Sequence, residues 1–259
     1  MNHADARSAA VPRPCGRGTL YLVPNLLGAV PPQDVLPART IAVARDLSHW
    51  IVETAKPARA FLATLGLPRP VAACWMREIG EQPSAAQLAA LLAPAHDGHD
   101  VGVLSDAGCP GVADPGARVV AAAHAAGLRV VPLVGPSSLL LALMASGMNG
   151  QRFAFHGYLP ADEPGRVAAL RRLEAESRAT GCAQLFIETP YRNVALLACC
   201  LRTLAAATRL CVAVDLTLPG ESVTSRPVRA WRGVDAAVYA KRPAIFLLEA
   251  AVRPAPARS

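Results

Sequence analysis

The stretch Val101-Gly102-Val103-Leu104-Ser105-Asp106-Ala107-Gly108-Cys109-Pro110-Gly111-Val112-Ala113-Asp114-Pro115-Gly116 holds an apolar run, a loop and the start of a helix. Val101–Ser105 reads as a short buried strand. Two Asp, two Pro and three Gly within residues 105–116 make a stiff loop that exposes its backbone. Asp114-Pro115 marks a helix start, with Asp as N-cap and Pro as the first helical residue. That role accounts for Asp114. It leaves Asp106 unexplained, an acid at a strand's end before a small residue, and so a candidate to contact a ligand's hydroxyl or cationic group. The loop is also long for a plain strand-to-helix connection.

The same alternation extends in both directions. Short apolar runs at 19–23, 50–52, 129–133, 182–187, 209–214 and 244–249 predict strands, and a further strand opens at Arg152-Phe153-Ala154-Phe155. Ala/Leu/Arg segments of helical period at 56–65, 84–92, 117–126, 137–145, 165–179 and 192–206 predict helices. Gly127 and Gly181 follow two of them as left-handed stops. The alternation predicts an α/β protein with two α/β domains and mainly parallel sheets. Gly147–Gly150 interrupts it, which places the domains at 18–148 and 149–250, with tails at 1–17 and 251–259. In open α/β sheets a ligand sits outside the carboxyl ends of the strands, so the loops there are the first candidates for a site.

Two more of those loops carry unusual residues. Gly135-Pro136-Ser137-Ser138 runs straight into helix. At least one serine is expected to cap that helix, and the pair could also offer hydroxyls and free N–H groups to a ligand. Leu139 stands where a serine-hydrolase elbow needs Gly, which disfavours that chemistry. Glu188-Thr189-Pro190-Tyr191-Arg192 follows an apolar strand, and reads equally as a capped helix start or as the wall of a cleft. No G-x-G-x-x-G and no phosphate-binding G-K-[ST] occurs.

Of the 259 residues 53% are hydrophobic, enough for a sizeable core and too many for a disordered chain. Aromatics at 5% argue against a broad stacking surface. The 26 basic and 19 acidic residues give a formal +7, which suits a polyanion such as RNA. Seven cysteines (15, 74, 109, 182, 199, 200, 211) show neither C-x-x-C nor zinc spacing, so no metal is expected and several read as small buried hydrophobes. Their odd number and the absence of a signal peptide point to the cytoplasm. Val130–Met148 is nearly uncharged, but Pro132, Gly135 and Pro136 break it into strand, turn and helix, so no membrane span is expected.

Taken in order, these segments resemble the tetrapyrrole methylase superfamily. The resemblance rests on Ser105-Asp106-Ala107-Gly108-Cys109-Pro110 through Gly116, Pro132 to Ser137, Gly157-Tyr158-Leu159-Pro160, Glu188 to Arg192, Asp215-Leu216-Thr217 and Pro243-Ala244. Within that superfamily the chain is most similar to the ribosomal RNA small subunit methyltransferase I family, over nearly all of residues 18–250. The resemblance implies a homodimeric enzyme that holds S-adenosylmethionine in an interdomain cleft and methylates a ribose hydroxyl of small-subunit ribosomal RNA. It implies cofactor contacts at Asp106, Ala107, Gly108, Gly135, Pro136, Ser137, Ser138, Thr189, Pro190, Tyr191, Leu216, Pro243 and Ala244. Asp106, Glu53, Glu188 and Glu221 are candidate proton acceptors, with no choice among them. Arg166, Arg171, Arg172 and Arg192 could hold phosphates, or simply form solvated helix faces.

Three segments depart from the family pattern. Pro24-Asn25-Leu26-Leu27-Gly28-Ala29 replaces a Thr-Pro-Ile/Leu-Gly-Asn turn. Glu53-Thr54-Ala55 lacks an expected Arg, and Asp215-Leu216-Thr217-Leu218 lacks a Lys. Two other readings therefore stand beside the ribosomal one: a methyltransferase acting on a tetrapyrrole, corrinoid or other small molecule, and a non-catalytic cofactor-binding module.

Overall fold

Five strands pair wholly in parallel in the first half of the chain: β1 (Thr19–Val23), β2 (His49–Val52), β3 (Trp75–Glu78), β4 (Val101–Leu104) and β5 (Arg129–Pro132). They lie in the order β3-β2-β4-β1-β5. This is a computed structural model that describes residues 16–251, so most of both expected tails, Cys15 included, lies outside the described residues. Each residue of β4 is buried, as the unbroken Val-Gly-Val-Leu run requires of a strand covered on both faces. The helices of this unit are α1 (Pro32–Val35), α2 (Ala38–Asp46), α3 (Ala55–Thr64), α4 (Ala85–His96) and α5 (Gly116–Ala125). Leu20, Ile51, Val101 and Val103 meet Leu91 and Leu92 of α4 and Val119 and Ala123 of α5 in one core. A Ser84/Gln87 capping box starts α4.

The second unit holds residues 26–30 and those from Pro136 onward. Its strands are β6 (Phe153–Tyr158), β7 (Ala183–Ile187), β8 (Arg209–Val214), β9 (Ser222–Pro227) and β10 (Ala244–Glu249), in the order β6-β7-β10-β8-β9. Its helices are α6 (Ser138–Ser146), α7 (Glu163–Thr180) and α8 (Asn193–Thr203). Here the parallel expectation holds for one pairing, β6 with β7, which α7 connects. The other three are antiparallel. The turn at 215–221 explains one of them, because a short connection can only join antiparallel neighbours.

The division between units falls at Gly135/Pro136, ahead of α6 rather than after it. Ala142 and Leu143 of α6 are buried against Ala183, Leu185, Cys211, Ala213, Ile245 and Leu247, so this helix covers one face of the second sheet. Leu170 and Leu173 of α7 and Leu196 and Leu197 of α8 cover the other face, over Phe186 and Phe246. Cys199, Cys200 and Cys211 are buried as small hydrophobes, and burial pushes the Cys211 thiol up to about 12. No helix among the described residues is long and apolar enough to cross a membrane.

Phe186 and Phe246 are fully buried and stack at 5.9 Å between centroids across β7 and β10. Phe246→Ala should destabilise the protein by about 3–5 kcal/mol through lost transfer energy and the cavity left behind. Urea denaturation with an unchanged m value checks this.

Candidate functional site

Three loops at the carboxyl ends of β1, β2 and β4 hold one another through side chains. The Asn25 amide donates to the carbonyls of Ser105 (2.9 Å) and Asp106 (3.0 Å), and the Asn25 N–H donates to the Gly108 carbonyl at 2.9 Å. Glu53 Oε2 accepts from the Asp106 N–H at 3.0 Å, while Asp106 Oδ1 accepts from the Thr54 N–H at 3.1 Å. Ser105 Oγ donates to the Ala107 and Gly108 carbonyls. Asp106 and Ala107 are exposed at the tip of this braced loop, and Gly108 is buried beneath it at φ +69°. Gly135 is required by close approach: a Cβ there would lie 2.3 Å from Pro24 Cβ.

Asp114 differs from the expected N-cap. Pro115 occupies that position, and the Asp114 carboxylate accepts from the N–H groups of Gly111 (2.8 Å) and Gly116 (2.6 Å). The acid thus ties the end of the loop to the first residue of α5. Ala113 beside it is held at φ +62°, a strained value for a residue with a side chain. Asp114 and Ala113 line a cavity of about 610 Å³ together with Glu53, Thr54, Glu81 and Pro115. Burial pushes the Glu53 carboxyl up, and the nearby charges of Asp106 and Asp114 add to that, against the opposing hydrogen bond from Asp106. Burial also raises Asp114.

In the second unit, the loops after β7 and β8 and the lead into β10 are joined by backbone bonds. Lys241 N–H donates to the Pro190 carbonyl and Asp215 N–H to the Pro243 carbonyl, each at 3.0 Å. Thr189, Pro190, Tyr191, Leu216, Pro243 and Ala244 are thereby brought together. Leu216 and Ala244 are buried, and Tyr191 is 81% exposed. Asp215 (φ +49°) and Thr217 (φ +72°) on either side of Leu216 both adopt left-handed backbone. Arg242 Nε donates to Asp215 Oδ2 at 2.7 Å, and Glu221 Oε2 accepts from the Thr217 N–H at 2.6 Å, which gives Glu221 a local anchoring role. Thr217 Oγ1 is buried without a hydrogen-bond partner.

Glu188 has a fully buried side chain. Its Oε1 accepts from Thr189 N–H (2.7 Å) and from Arg192 Nε (3.1 Å), and its Oε2 is buried without a donor. The expected serine cap on α6 is not made: Ser137 has N-cap backbone angles, but its side chain forms no cap bond. Arg166 also differs from the solvated face expected for it. It is 7% exposed, donates to the Ala161 carbonyl at 3.4 Å and packs near Cys200. Arg171 and Arg172 are exposed, as a helix face requires. Sequence reasoning missed Asn25 as a brace, together with Thr217, Arg242 and Asn193; the Asn193 amide donates to the Tyr239 and Arg242 carbonyls. Thr217 and Asn25 lie in segments compared with the family, but nothing local to any of the four marks these contacts.

Residues 38–230 match the family of Tetrapyrrole (Corrin/Porphyrin) Methylases. The chain belongs to this family. It is an S-adenosylmethionine-dependent methyltransferase. Among its relatives, the Ribosomal RNA small subunit methyltransferase I of Pseudomonas aeruginosa is 32% identical over 82% of this chain and 71% of its own length. The protein of the same name from Escherichia coli O157:H7 is 32% identical over 82% and 70%. Of solved structures, the uroporphyrin-III C-methyltransferase of Thermus thermophilus complexed with S-adenosylhomocysteine shares the fold, at TM-score 0.51 and 18% identity over 90% of this chain and 97% of that one.

The raised Glu53 carboxyl has a sign that can be measured. The folded protein holds this proton more tightly than the unfolded chain, so the contribution of Glu53 to stability is full below the ordinary Glu pKa of about 4.3 and is lost as pH rises through the raised value. Glu53→Gln, which keeps an acceptor for the Asp106 N–H, should melt higher than the parent at pH 7. The two melting temperatures should converge below about pH 4.

Proposed function

We propose that this methyltransferase acts on a ribose 2′-hydroxyl in small-subunit ribosomal RNA. The observation that carries this reading is the pair of relatives named Ribosomal RNA small subunit methyltransferase I, each aligned over more than four-fifths of the chain. The +7 formal charge supports a polyanionic substrate.

The residues present suit S-adenosylmethionine. That molecule offers hydrogen-bond donors at its adenine amino group, ribose hydroxyls and ammonium group, and the chain offers acceptors at its loop ends. Glu188 Oε2 is buried without a donor, and the Asp106 carboxylate stands on an exposed loop tip. In the first unit we assign cofactor contacts to Asp106, Ala107, Gly108 and Gly135. In the second we assign them to Pro136, Ser137, Ser138, Thr189, Pro190, Tyr191, Leu216, Pro243 and Ala244. When bound, the sulfonium supplies an activated methyl and a good leaving group, so the protein's tasks are alignment and exclusion of water. A ribose hydroxyl is a poor nucleophile at neutral pH and benefits from a proton acceptor. Among Asp106, Glu53 and Glu188 we assign that task to Glu53. It lines the cavity with one oxygen on the Asp106 N–H and has a raised proton affinity, whereas Glu188 is committed to Arg192. Arg192 stays in that ion pair with its side chain 41% exposed, and we assign it to a phosphate of the acceptor. We further assign a homodimer as the active form.

Small-subunit RNA from cells with and without the protein should differ by one ribose methyl group in mass spectrometry. Transfer of labelled methyl to a tetrapyrrole instead, or to nothing at all, would replace this reading. Asp106→Ala should weaken cofactor binding about tenfold or more in calorimetry, and an unchanged affinity would remove Asp106 from the contact set.

A further inference from the structure

At the amino ends of the first sheet, opposite the braced loops, aromatic and cationic side chains form a continuous stack. The Arg77 guanidinium lies 5.2 Å from the Trp75 ring centroid. Trp75 is 5.8 Å from the His49 ring at a tilt of 42°, and His49 stacks on His99 at 4.5 Å and 23°. The strand order lines them up. His49 is the register partner of Trp75, β2 lies between β3 and β4, and His99 stands just before β4. Burial and the neighbouring His99 push the His49 imidazole down, which favours the neutral ring. The backbone fixes His99 in place: its N–H donates to the Pro94 carbonyl at 2.9 Å, and Gly18 passes so close that a Cβ there would lie 1.8 Å from the His99 carbonyl oxygen.

His99 is also one wall of a cavity of about 230 Å³, completed by Tyr21, Val43, Asp46, Leu47, Ser48 and Asp100. The cavity offers two aromatic side chains, two apolar ones and a set of acceptors. Asp100 Oδ1 already accepts from the Thr19 N–H at 2.7 Å, and Ser48 Oγ is bound to His49 Nδ1 at 3.1 Å. Asp46 is exposed at the wall. The best match to a stacked ring beside a carboxylate is a flat ligand with two adjacent donors. Guanine has them, at N1–H and N2–H₂. Adenine and cytosine set a single amine beside a ring acceptor that a carboxylate repels, and uracil flanks its N–H with two carbonyls.

We propose that this cavity binds a guanine base, stacked on His99 with its donor edge on Asp46. The guanine can come from an RNA strand or from a free nucleotide, and one titration separates the two. Full-length protein is titrated with the pentaribonucleotides UUGUU and UUAUU and with guanosine and adenosine monophosphates, followed by calorimetry. Guanine ligands should bind about tenfold tighter than their adenine counterparts. His99→Ala should weaken guanine binding roughly tenfold, the size of one base–ring stack, and Asp46→Asn should erase the preference over adenine. Both side chains are exposed, so the variants keep the fold. A tighter pentanucleotide assigns the site to RNA, and equal affinity for the monophosphate assigns it to a free nucleotide. Equal binding of guanine and adenine by the parent protein overturns the proposal, as does guanine binding unchanged in both variants. His99→Ala leaves the Asp106 loop untouched, so S-adenosylmethionine affinity should not move; this proposal fails on guanine binding and the ribosomal reading on the ribose methyl of small-subunit RNA, so the two fail separately.

Discussion

Parallel pairing of β4 with β1 on one side and β2 on the other brings three strand ends side by side, and the peptide groups of the loops beyond them have no strand partner. A buried peptide group without a hydrogen bond costs about 1–3 kcal/mol, as the Ser105 carbonyl would, and the more exposed Thr54 and Asp106 N–H groups are tied down by side-chain bonds as well. Asn25, Glu53 and Asp106 each lie just beyond one of the three strands and supply those bonds across to a neighbour. Asn25 bonds the β4 loop, Glu53 holds the Asp106 N–H, and Asp106 returns a bond to Thr54. The same bracing sets two carboxylates in one network, which is why charge on Asp106 adds to burial in raising Glu53. Burial remains the larger cause of that rise, and the bracing bond from the Asp106 N–H works against it.

The second unit reaches a rigid loop edge by a different route. Asp215 and Thr217 hold left-handed backbone without being glycine, a conformation that costs roughly 1–3 kcal/mol per residue. Such strain persists only where surrounding bonds over-determine it. Arg242 on Asp215, Glu221 on the Thr217 N–H and the Pro243 carbonyl on the Asp215 N–H provide that constraint. Leu216 is buried between the two strained residues and packs into the core that α6 shares with the second sheet.

Periodicity made most of the fold legible. Val101–Ser105, Arg209–Val214 and Ala244–Glu249 were readable because buried strands must be apolar throughout. β3 and β9 were not. Trp75-Met76-Arg77-Glu78 and Ser222-Val223-Thr224-Ser225-Arg226-Pro227 lie at sheet edges, where half-exposed side chains carry no apolar run. The mixed pairing of the second sheet was equally hidden, because α/β alternation specifies the single crossover through α7 and says nothing about where β10 inserts. At the site, the loop-rich glycines and Asp106 stood out by composition. Asn25 and Arg242 did not, since a side chain that completes a distant peptide group leaves no local mark in the sequence.

The same geometry bears on the Arg missing from the family pattern after Glu53. Glu53 is followed by Thr54 and Ala55 where an Arg is usual, and the cavity beside it is lined by Glu53, Glu81 and Asp114. A phosphate brought against that wall would meet like charge in partly desolvated surroundings, where repulsion is stronger than in water. A ribose hydroxyl is neutral and meets no such penalty, and a carboxylate with raised proton affinity is the group it needs nearby. On the proposed ribosomal reading, an RNA acceptor would present its sugar to this wall and keep its phosphates away from it. On that reading the basic groups that hold the strand would lie outside this cavity.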